Sequence, residues 1–259
     1  MEASAARARP SARDVLATLT VSELRARYGR GPWRLVKWLL DPFALVGVYL
    51  VLVSVVLDRP GRATGLSLAC AVVPFQLLMM TTLNAMDAIT SRMSIITNMG
   101  FRRTLIPLAS VATESAAFAA SLLLIALMMA VYAVEPTLSI LWLPLVLAVN
   151  LTLAAAAAYP AALIGVWVPD LRSFVVCAVR TLFFVAPGLV AIEQITGDAH
   201  DLVKINPLSG LFEAYRDVLL HGQAPAAWEL LIPLAWAALL AAIFVPMFRR
   251  EQRHLAKVV

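Results

Sequence analysis

The sequence predicts an all-α, polytopic membrane protein with six transmembrane helices, on the basis of composition and of the lengths of its apolar stretches. Hydrophobic residues occupy 61% of the 259 positions and charged residues only 14%, and the mean hydropathy is +0.84. This is more apolar than a soluble domain needs to fill one core. A helix needs about 20 apolar residues to cross roughly 30 Å of hydrocarbon. Six stretches reach that length, at residues 39–57, 65–86, 105–134, 138–166, 174–192 and 228–248.

The positions of the cations favour an even number of spans with both chain ends in the cytoplasm. Eight Lys and Arg precede the first predicted span, three lie in segment 87–104, one is Arg172, and four follow residue 248. The opposite side holds only four, among them Arg216. Cytoplasmic segments carry an excess of Lys and Arg, which also accounts for the net charge of +5 without nucleic-acid binding. Pro144 and Pro160 leave an alternative in which residues 138–166 form a hairpin.

The N-terminal 37 residues divide into a tail and a basic segment. Residues 1–13 contain no apolar run followed by a cleavage site of small residues, so they are predicted to be a disordered tail rather than a signal peptide. The remainder, 14–259, is predicted to be one transmembrane domain. It begins with residues 14–37, which mix apolar and aromatic residues with cations and so predict an amphipathic helix along the inner membrane surface. Glycines and a proline at 29–32 are expected to break this helix in two, and a simple cationic anchor is the alternative.

Two polar segments between spans are predicted to contain short helices. Segment 87–104 is too polar to span and too long for a minimal turn, and Asn98 and Gly100 favour a helix end there. A cytoplasmic helix at this position is placed to contact a cytoplasmic partner. In segment 193–229, apolar residues at 208, 211, 212, 215, 218 and 219 follow helical spacing, and Asn206-Pro207 supplies a preceding turn. We expect a short helix that lies at, or dips into, the outer membrane interface.

The sequence lacks the motifs that would let the chain hydrolyse ATP by itself. No G-x-x-x-x-G-K-[ST] motif occurs, so this chain is predicted to bind no cofactor, and any ATP energy must come from another polypeptide. His200, His221 and His254 lie outside the spans and are not spaced as metal ligands. We therefore predict no metal site and no catalytic residue. Cys70 and Cys177 lie in apolar spans, where they are interpreted as packing residues.

Two ionisable residues and a set of aromatic residues are the candidates for a transport pathway. Glu114 in the third span and Arg180 in the fifth each need a partner or water, because an unpaired charge at mid-membrane costs at least about 2.5–3.5 kcal/mol. The two can meet as a structural pair, make separate packing contacts, or line a wet pathway. Aromatic rings stack on the C–H faces of sugars but also serve as core or lipid-facing residues. The aromatic candidates are Phe43, Tyr49, Phe75, Tyr159, Phe174, Phe183 and Phe184.

Four runs of residues occur in order between residues 20 and 222. Run 166–188 has an aromatic residue, Asp and Arg before the fifth span and Pro in its outer part, at Trp167, Asp170, Arg172 and Pro187. Run 206–222 has Asn-Pro followed by an aromatic-Arg-Asp triplet and a Gly. The weaker runs are ELRARY at 23–28 with Trp38 and Pro42 after it, and Phe101-Arg102-Arg103 with Pro107-Leu108 after it. Together they resemble the ABC-2 class of exporter permeases, in the branch that exports O-antigen, teichoic acid or galactan. Pro169 and the lead into the first span at 29–32 depart from that pattern.

The resemblance implies a homodimer in the bacterial inner membrane, with two copies of a separate ATPase subunit that binds ATP and Mg²⁺. The cargo would be a polyprenyl-pyrophosphate-linked glycan, held at the inner leaflet among membrane lipids. Segment 14–37 then resembles a gate helix, whose arginines would pair with phosphate oxygens. Its candidate residues are Arg25, Arg27, Tyr28 and Arg30. Segment 87–104 resembles a coupling helix for the ATPase, with Ser91, Arg92, Ile95, Asn98, Phe101, Arg102 and Arg103 as candidates.

Three other functions are weighed against a polysaccharide exporter. An ABC-2 permease for a small lipid or drug would dispense with the basic helix before its first span. An ion-coupled carrier should show an internal repeat between its halves, and none is found. A membrane enzyme would be active as the purified chain alone.

Overall fold

The computed structural model describes residues 11–28, 33–52, 55, 63–92, 103–189 and 199–251, and these are mostly helical, with no β-strand among them. The α-helices are α1 (Ala12–Tyr28), α2 (Trp33–Val51), α3 (Thr64–Asp87), α4 (Leu105–Val131), α5 (Leu143–Trp167), α6 (Arg172–Val185), α7 (Ala199–Lys204), α8 (Pro207–Arg216) and α9 (Ala227–Glu251). Short 3-10 turns occupy Thr90–Arg92, Leu138–Trp142 and Pro169–Leu171, and a π-helical turn occupies Asp217–His221. The prediction of an all-α protein is confirmed.

Four of the predicted spans correspond to helices that are long and apolar enough to cross a membrane. In the described part of the chain these are α3, α4, the segment Leu138–Trp167 that ends with α5, and α9. Leu138–Trp167 is one continuous helical segment that passes through Pro144 and Pro160. The hairpin alternative is therefore not adopted.

The other two predicted spans coincide with shorter helices. Helix α2 begins at Trp33, so residues 33–37 of the predicted interfacial segment are continuous with the first predicted span. Helix α6 has 14 residues, which corresponds to roughly 21 Å at 1.5 Å per residue. The ends of both predicted spans, at 53–54, 56–57 and 190–192, lie outside the described residues. A span at each of these two places stays a prediction.

The N-terminal helix starts earlier than the sequence predicts. Helix α1 begins at Ala12, within the predicted tail of residues 1–13, because Ser11 caps it. The Ser11 hydroxyl oxygen accepts a hydrogen bond from the Asp14 backbone N–H at 3.1 Å and donates one to the Asp14 carboxylate at 2.7 Å. A polar side chain at this position satisfies a backbone donor that has no partner within the helix. Residues 1–10 lie outside the described range.

Helix α3 is the centre of the bundle. It packs against α2, α4, α5, α6 and α8, and most of its residues are buried. Its closest neighbour is α5, where Gly165 lies directly against the backbone of Met86. Buried alanines at 158, 161 and 162 continue the same contact. Small residues let two helix backbones approach closely, which is how helices gain packing energy where lipid removes the hydrophobic driving force.

Replacing Gly165 with Ala is expected to destabilise the protein, because a Cβ atom there would overlap the Met86 carbonyl group. Overpacking of this kind costs about 1–3 kcal/mol. Gly47→Ala is the matched control, since a Cβ at Gly47 of α2 meets nothing within 4 Å, and Ala favours a helix over Gly. The thermal unfolding midpoint in detergent should fall for Gly165→Ala only; equal midpoints for both variants would contradict the close contact.

Helix α8 packs inside the bundle, against α3, α5 and α9. Together with the π-helical turn that follows it, α8 corresponds to the short helix predicted at 208–220. The predicted Asn206-Pro207 turn begins the helix: the Asn206 side-chain oxygen accepts from the Leu208 N–H at 3.0 Å, and the Asn206 amide donates to the Leu182 carbonyl at 2.7 Å. All ten residues of α8 are buried. The segment is therefore an internal part of the bundle, rather than a helix resting on its surface.

Candidate functional site

A groove between α2, α3 and α6 brings together most of the predicted pathway residues. Its volume is about 390 Å³. Five of the candidates line it: Tyr49, Phe75, Arg180, Phe183 and Phe184. Leu45, Gln76, Met79, Met80 and Leu83 complete the walls. These residues come from three separate helices, so the groove exists only when the bundle is assembled.

The aromatic residues of the groove form one contact cluster centred on Phe183. The ring of Phe183 stacks on Tyr49 at a centroid distance of 5.6 Å and lies 4.6 Å from Phe75. It also meets Phe184 edge to face at 5.4 Å. Phe183 is buried, whereas the side chain of Phe184 is 58% exposed. Phe183 thus holds the cluster together, and Phe184 and Tyr49 present ring surface to the groove.

Arg180 and Glu114 have different surroundings and form no ion pair with each other. Glu114 is buried on α4, where its carboxylate accepts a hydrogen bond from the Asn84 amide of α3 at 2.5 Å. Arg180 is exposed on α6 and lines the groove. The two residues therefore do not form the structural pair: Glu114 makes a separate packing contact with Asn84, and Arg180 lies beside the aromatic cluster.

Three other predicted pathway residues lie outside the groove walls: Tyr159, Phe43 and Phe174, the last of which is exposed near the start of α6. Tyr159 of α5 stacks edge to face on Phe248 of α9 at 5.6 Å, and its hydroxyl donates to the Thr104 carbonyl at 3.5 Å. Tyr159 therefore belongs to a buried cluster in the second half of α5. Phe43 is half-buried on α2 and packs against the main core.

Helix α1, which carries the predicted gate residues, packs on α4. Val15 and Leu19 are buried against Ala109, and the Thr113 hydroxyl donates to the Glu23 carboxylate at 3.2 Å. Arg25 is exposed on the same helix. The side chains of the predicted gate residues Arg27 and Tyr28, and the whole of Arg30, lie outside the described residues.

The predicted coupling segment begins where α3 ends. The Ser91 hydroxyl donates to the Asp87 carbonyl at 2.7 Å and is exposed, and an Asp87–Arg172 ion pair joins the end of α3 to the start of α6. Arg103, at the other end of the segment, is half-buried. The remaining predicted coupling residues fall outside the described structure, either entirely, as for Ile95, Asn98, Phe101 and Arg102, or in their side chain, as for Arg92.

A buried polar cluster around Arg216 is a feature that the sequence analysis missed. The charge pattern placed Arg216 among the cations outside the membrane, but in the structure its side chain is fully buried at the end of α8. Its guanidinium donates to the Glu213 carboxylate at 2.7 Å, to the Ser67 hydroxyl of α3 at 3.0 Å and to the Gly188 carbonyl at 3.2 Å. The cluster joins α8 to α3 and to the segment after α6. The aromatic-Arg-Asp triplet at 215–217 was the available signal.

The neighbouring Tyr215 extends this cluster to α5. Its hydroxyl oxygen accepts a hydrogen bond from the Asn150 amide at 3.3 Å. Burial raises the pKa of the Tyr215 hydroxyl above its usual range, so the ring carries a neutral phenol. The charges of the cluster are therefore those of Arg216 and Glu213, and Tyr215 is a neutral hydrogen-bonding partner.

The fold and the groove define a multi-pass helical membrane protein. Comparisons with curated proteins show which proteins its sequence is similar to. The O-antigen export system permease protein RfbA of Myxococcus xanthus is 26% identical over 235 residues, covering 87% of this chain and 90% of that protein. Two proteins of the same name from Klebsiella pneumoniae are each 22% identical over 210 residues, or 81% of both chains. No family model matches the chain. The resemblance to polysaccharide exporter permeases is confirmed: this chain is a homologue of O-antigen export permeases over most of its length.

Proposed function

We propose that this chain is the permease subunit of an ATP-driven exporter that carries a polyprenyl-pyrophosphate-linked polysaccharide across the bacterial inner membrane. It would act as a homodimer with two copies of a separate ATPase subunit that binds ATP and Mg²⁺. The observation that carries the proposal is homology to O-antigen export permeases along more than four-fifths of the chain. The aromatic groove supports it, because sugars stack on rings.

Helices α2 and α6 are proposed to form the first and fifth spans and to face the second protomer. Helix α6 exposes Arg180 and Thr181 beside Phe174 and Phe184, and an arginine is costly against lipid. A second copy placed against α2 and α6 would enclose the groove. A closed, protein-lined path supplies hydrogen-bond partners for glycan hydroxyls, which cannot be stripped of water without replacement.

The basic N-terminal helix is proposed to hold the lipid-linked pyrophosphate at the inner leaflet. Arg25 is exposed on the side of α1 away from its buried contact with α4, and guanidinium groups pair with phosphate oxygens in a fork. Arg27 and Arg30 follow in sequence and are assigned the same role. Unchanged polymer export after replacing all three with Ala, at normal protein levels, would remove them from the mechanism.

The orientation required by a cytoplasmic ATPase is tested at Ser91, in a Cys177→Ser background that removes the exposed native thiol. We expect a Cys at position 91 to react with a membrane-impermeant maleimide only in inside-out vesicles, because positive-inside counting places segment 87–104 in the cytoplasm. A Cys at the exposed Gln223 is the control and should react only in intact cells or spheroplasts. The reverse pattern would contradict docking of an ATPase on this segment.

A further inference from the structure

We infer that Arg180 and Gln76 form a recognition point for a negatively charged sugar unit, so that the cargo of this chain is an acidic glycan bearing carboxylate or phosphate groups. The inference rests on the proposed function and specifies its substrate class. Both residues line the groove between α2, α3 and α6, next to Phe75 and Phe184.

The charge of Arg180 stands in apolar surroundings. The other groove walls are aromatic, aliphatic and methionine side chains apart from Gln76. Within the described ranges, no carboxylate forms an ion pair with Arg180. A guanidinium is always charged, and Arg180 is exposed in the single chain. The second copy proposed above would cover the groove and lower its effective dielectric, which strengthens the attraction of Arg180 for an anion. The groove is therefore electrostatically matched to an anion.

Gln76 adds a neutral hydrogen-bonding group beside the cation. Its side-chain oxygen is buried and has no hydrogen-bond partner in the described part of the chain. A buried acceptor without a partner is costly. Because the Gln76 side chain lines the groove, rotation of its amide group would present this oxygen to a sugar hydroxyl, which is a suitable donor for it. Its amide also supplies donors for a carboxylate.

The combination of groups favours a charged sugar over an isolated phosphate. Tyr49 and Phe184 present ring surface within the same groove, and rings bind the C–H faces of sugars. A ring, a hydroxyl partner and a cation together match a sugar that carries an anionic substituent. A neutral polymer would use the rings and Gln76 but would leave Arg180 without a counter-ion.

The test measures binding by calorimetry to the full chain in nanodiscs of phosphatidylcholine, a lipid without net charge. The probes are a hyaluronan tetrasaccharide, which carries carboxylates, neutral chitotetraose, and inorganic pyrophosphate. We expect the hyaluronan fragment to bind at least about tenfold more tightly than chitotetraose, with an affinity that falls as salt is added. Arg180→Gln should abolish the difference and Arg180→Lys should retain part of it, since Lys keeps the charge but loses the planar fork.

Arg250→Gln is the control for a cation outside the groove, because Arg250 is exposed near the end of α9; it should leave all affinities unchanged. Equal binding of the acidic and neutral fragments, or an unchanged preference in Arg180→Gln, would overturn the inference. Arg180-dependent binding of pyrophosphate alone would overturn it in favour of recognition of the lipid linker.

Export of a neutral polymer would refute the acidic cargo and leave the exporter function standing. Binding of the acidic fragment without any export would refute the exporter function alone.

Discussion

Replacing Arg216 with Met is expected to lower the free energy of unfolding by about 3–5 kcal/mol, because it leaves the Glu213 carboxylate buried without the guanidinium. The side chain of Arg216 is fully buried and that of Glu213 is 3% exposed. The change also removes hydrogen bonds to Ser67 and to the Gly188 carbonyl, which join three separate parts of the bundle. Unfolding of the purified chain in mixed detergent micelles with increasing dodecyl sulfate measures the effect.

The double variant Arg216→Met, Glu213→Leu separates loss of a charge pair from loss of packing. Replacing both members of a buried ion pair with apolar residues of similar size is often close to neutral, so the double variant should recover much of the lost stability. Arg249→Met, at an exposed position of α9, should change stability by no more than about 0.5 kcal/mol. A small effect of Arg216→Met, equal to that of the control, would show that the cluster contributes little.

Removing two rings that line the groove, the half-buried Tyr49 and the exposed Phe184, is expected to reduce polymer export by about tenfold or more. Tyr49→Ala with Phe184→Ala deletes two of the four rings that line the groove, while the contact between Phe183 of α6 and Phe75 of α3 remains. Ring stacking contributes roughly 0.5–1.5 kcal/mol per pair, and about 1.4 kcal/mol corresponds to a factor of ten. Surface polymer is measured in cells with the amount of permease in the membrane held equal.

Trp142→Ala is the control for loss of an aromatic side chain. Trp142 is 44% exposed in the 3-10 turn before α5 and does not line the groove. Its replacement should leave export near the unmodified level. Normal export by the Tyr49, Phe184 double variant would show that the cargo does not pass along these rings.

Features that depend on local sequence could be predicted. The length of an apolar stretch can be counted from consecutive residues. It identified α3, α4, α5 and α9 because each is long enough to cross the hydrocarbon layer by itself. The spacing of apolar residues after Asn206-Pro207 likewise identified α8. The ends of helices could not be predicted from apolar length. At Ser11, for example, a capping contact moves the start of α1 to Ala12, within the predicted tail.

Features that depend on contacts between distant segments could not be predicted. Arg216 looks like an exterior cation because one of its partners, Ser67, is 149 residues away in the sequence. Glu114 and Arg180 lie at similar depths in their predicted spans, but the rotation of α4 turns Glu114 towards Asn84. The groove aromatics were predicted as single candidates, and only the packing of α2, α3 and α6 shows which of them share one surface.

The central claim is that this chain carries a lipid-linked glycan across the membrane, and depletion of the chain in its own cells tests it most directly. Surface glycan and intracellular lipid-linked glycan are quantified together by metabolic labelling with a radioactive sugar. The account predicts that surface glycan falls while the lipid-linked form accumulates inside, and that re-expression of the chain restores both. Unchanged surface glycan with no accumulation inside would contradict it.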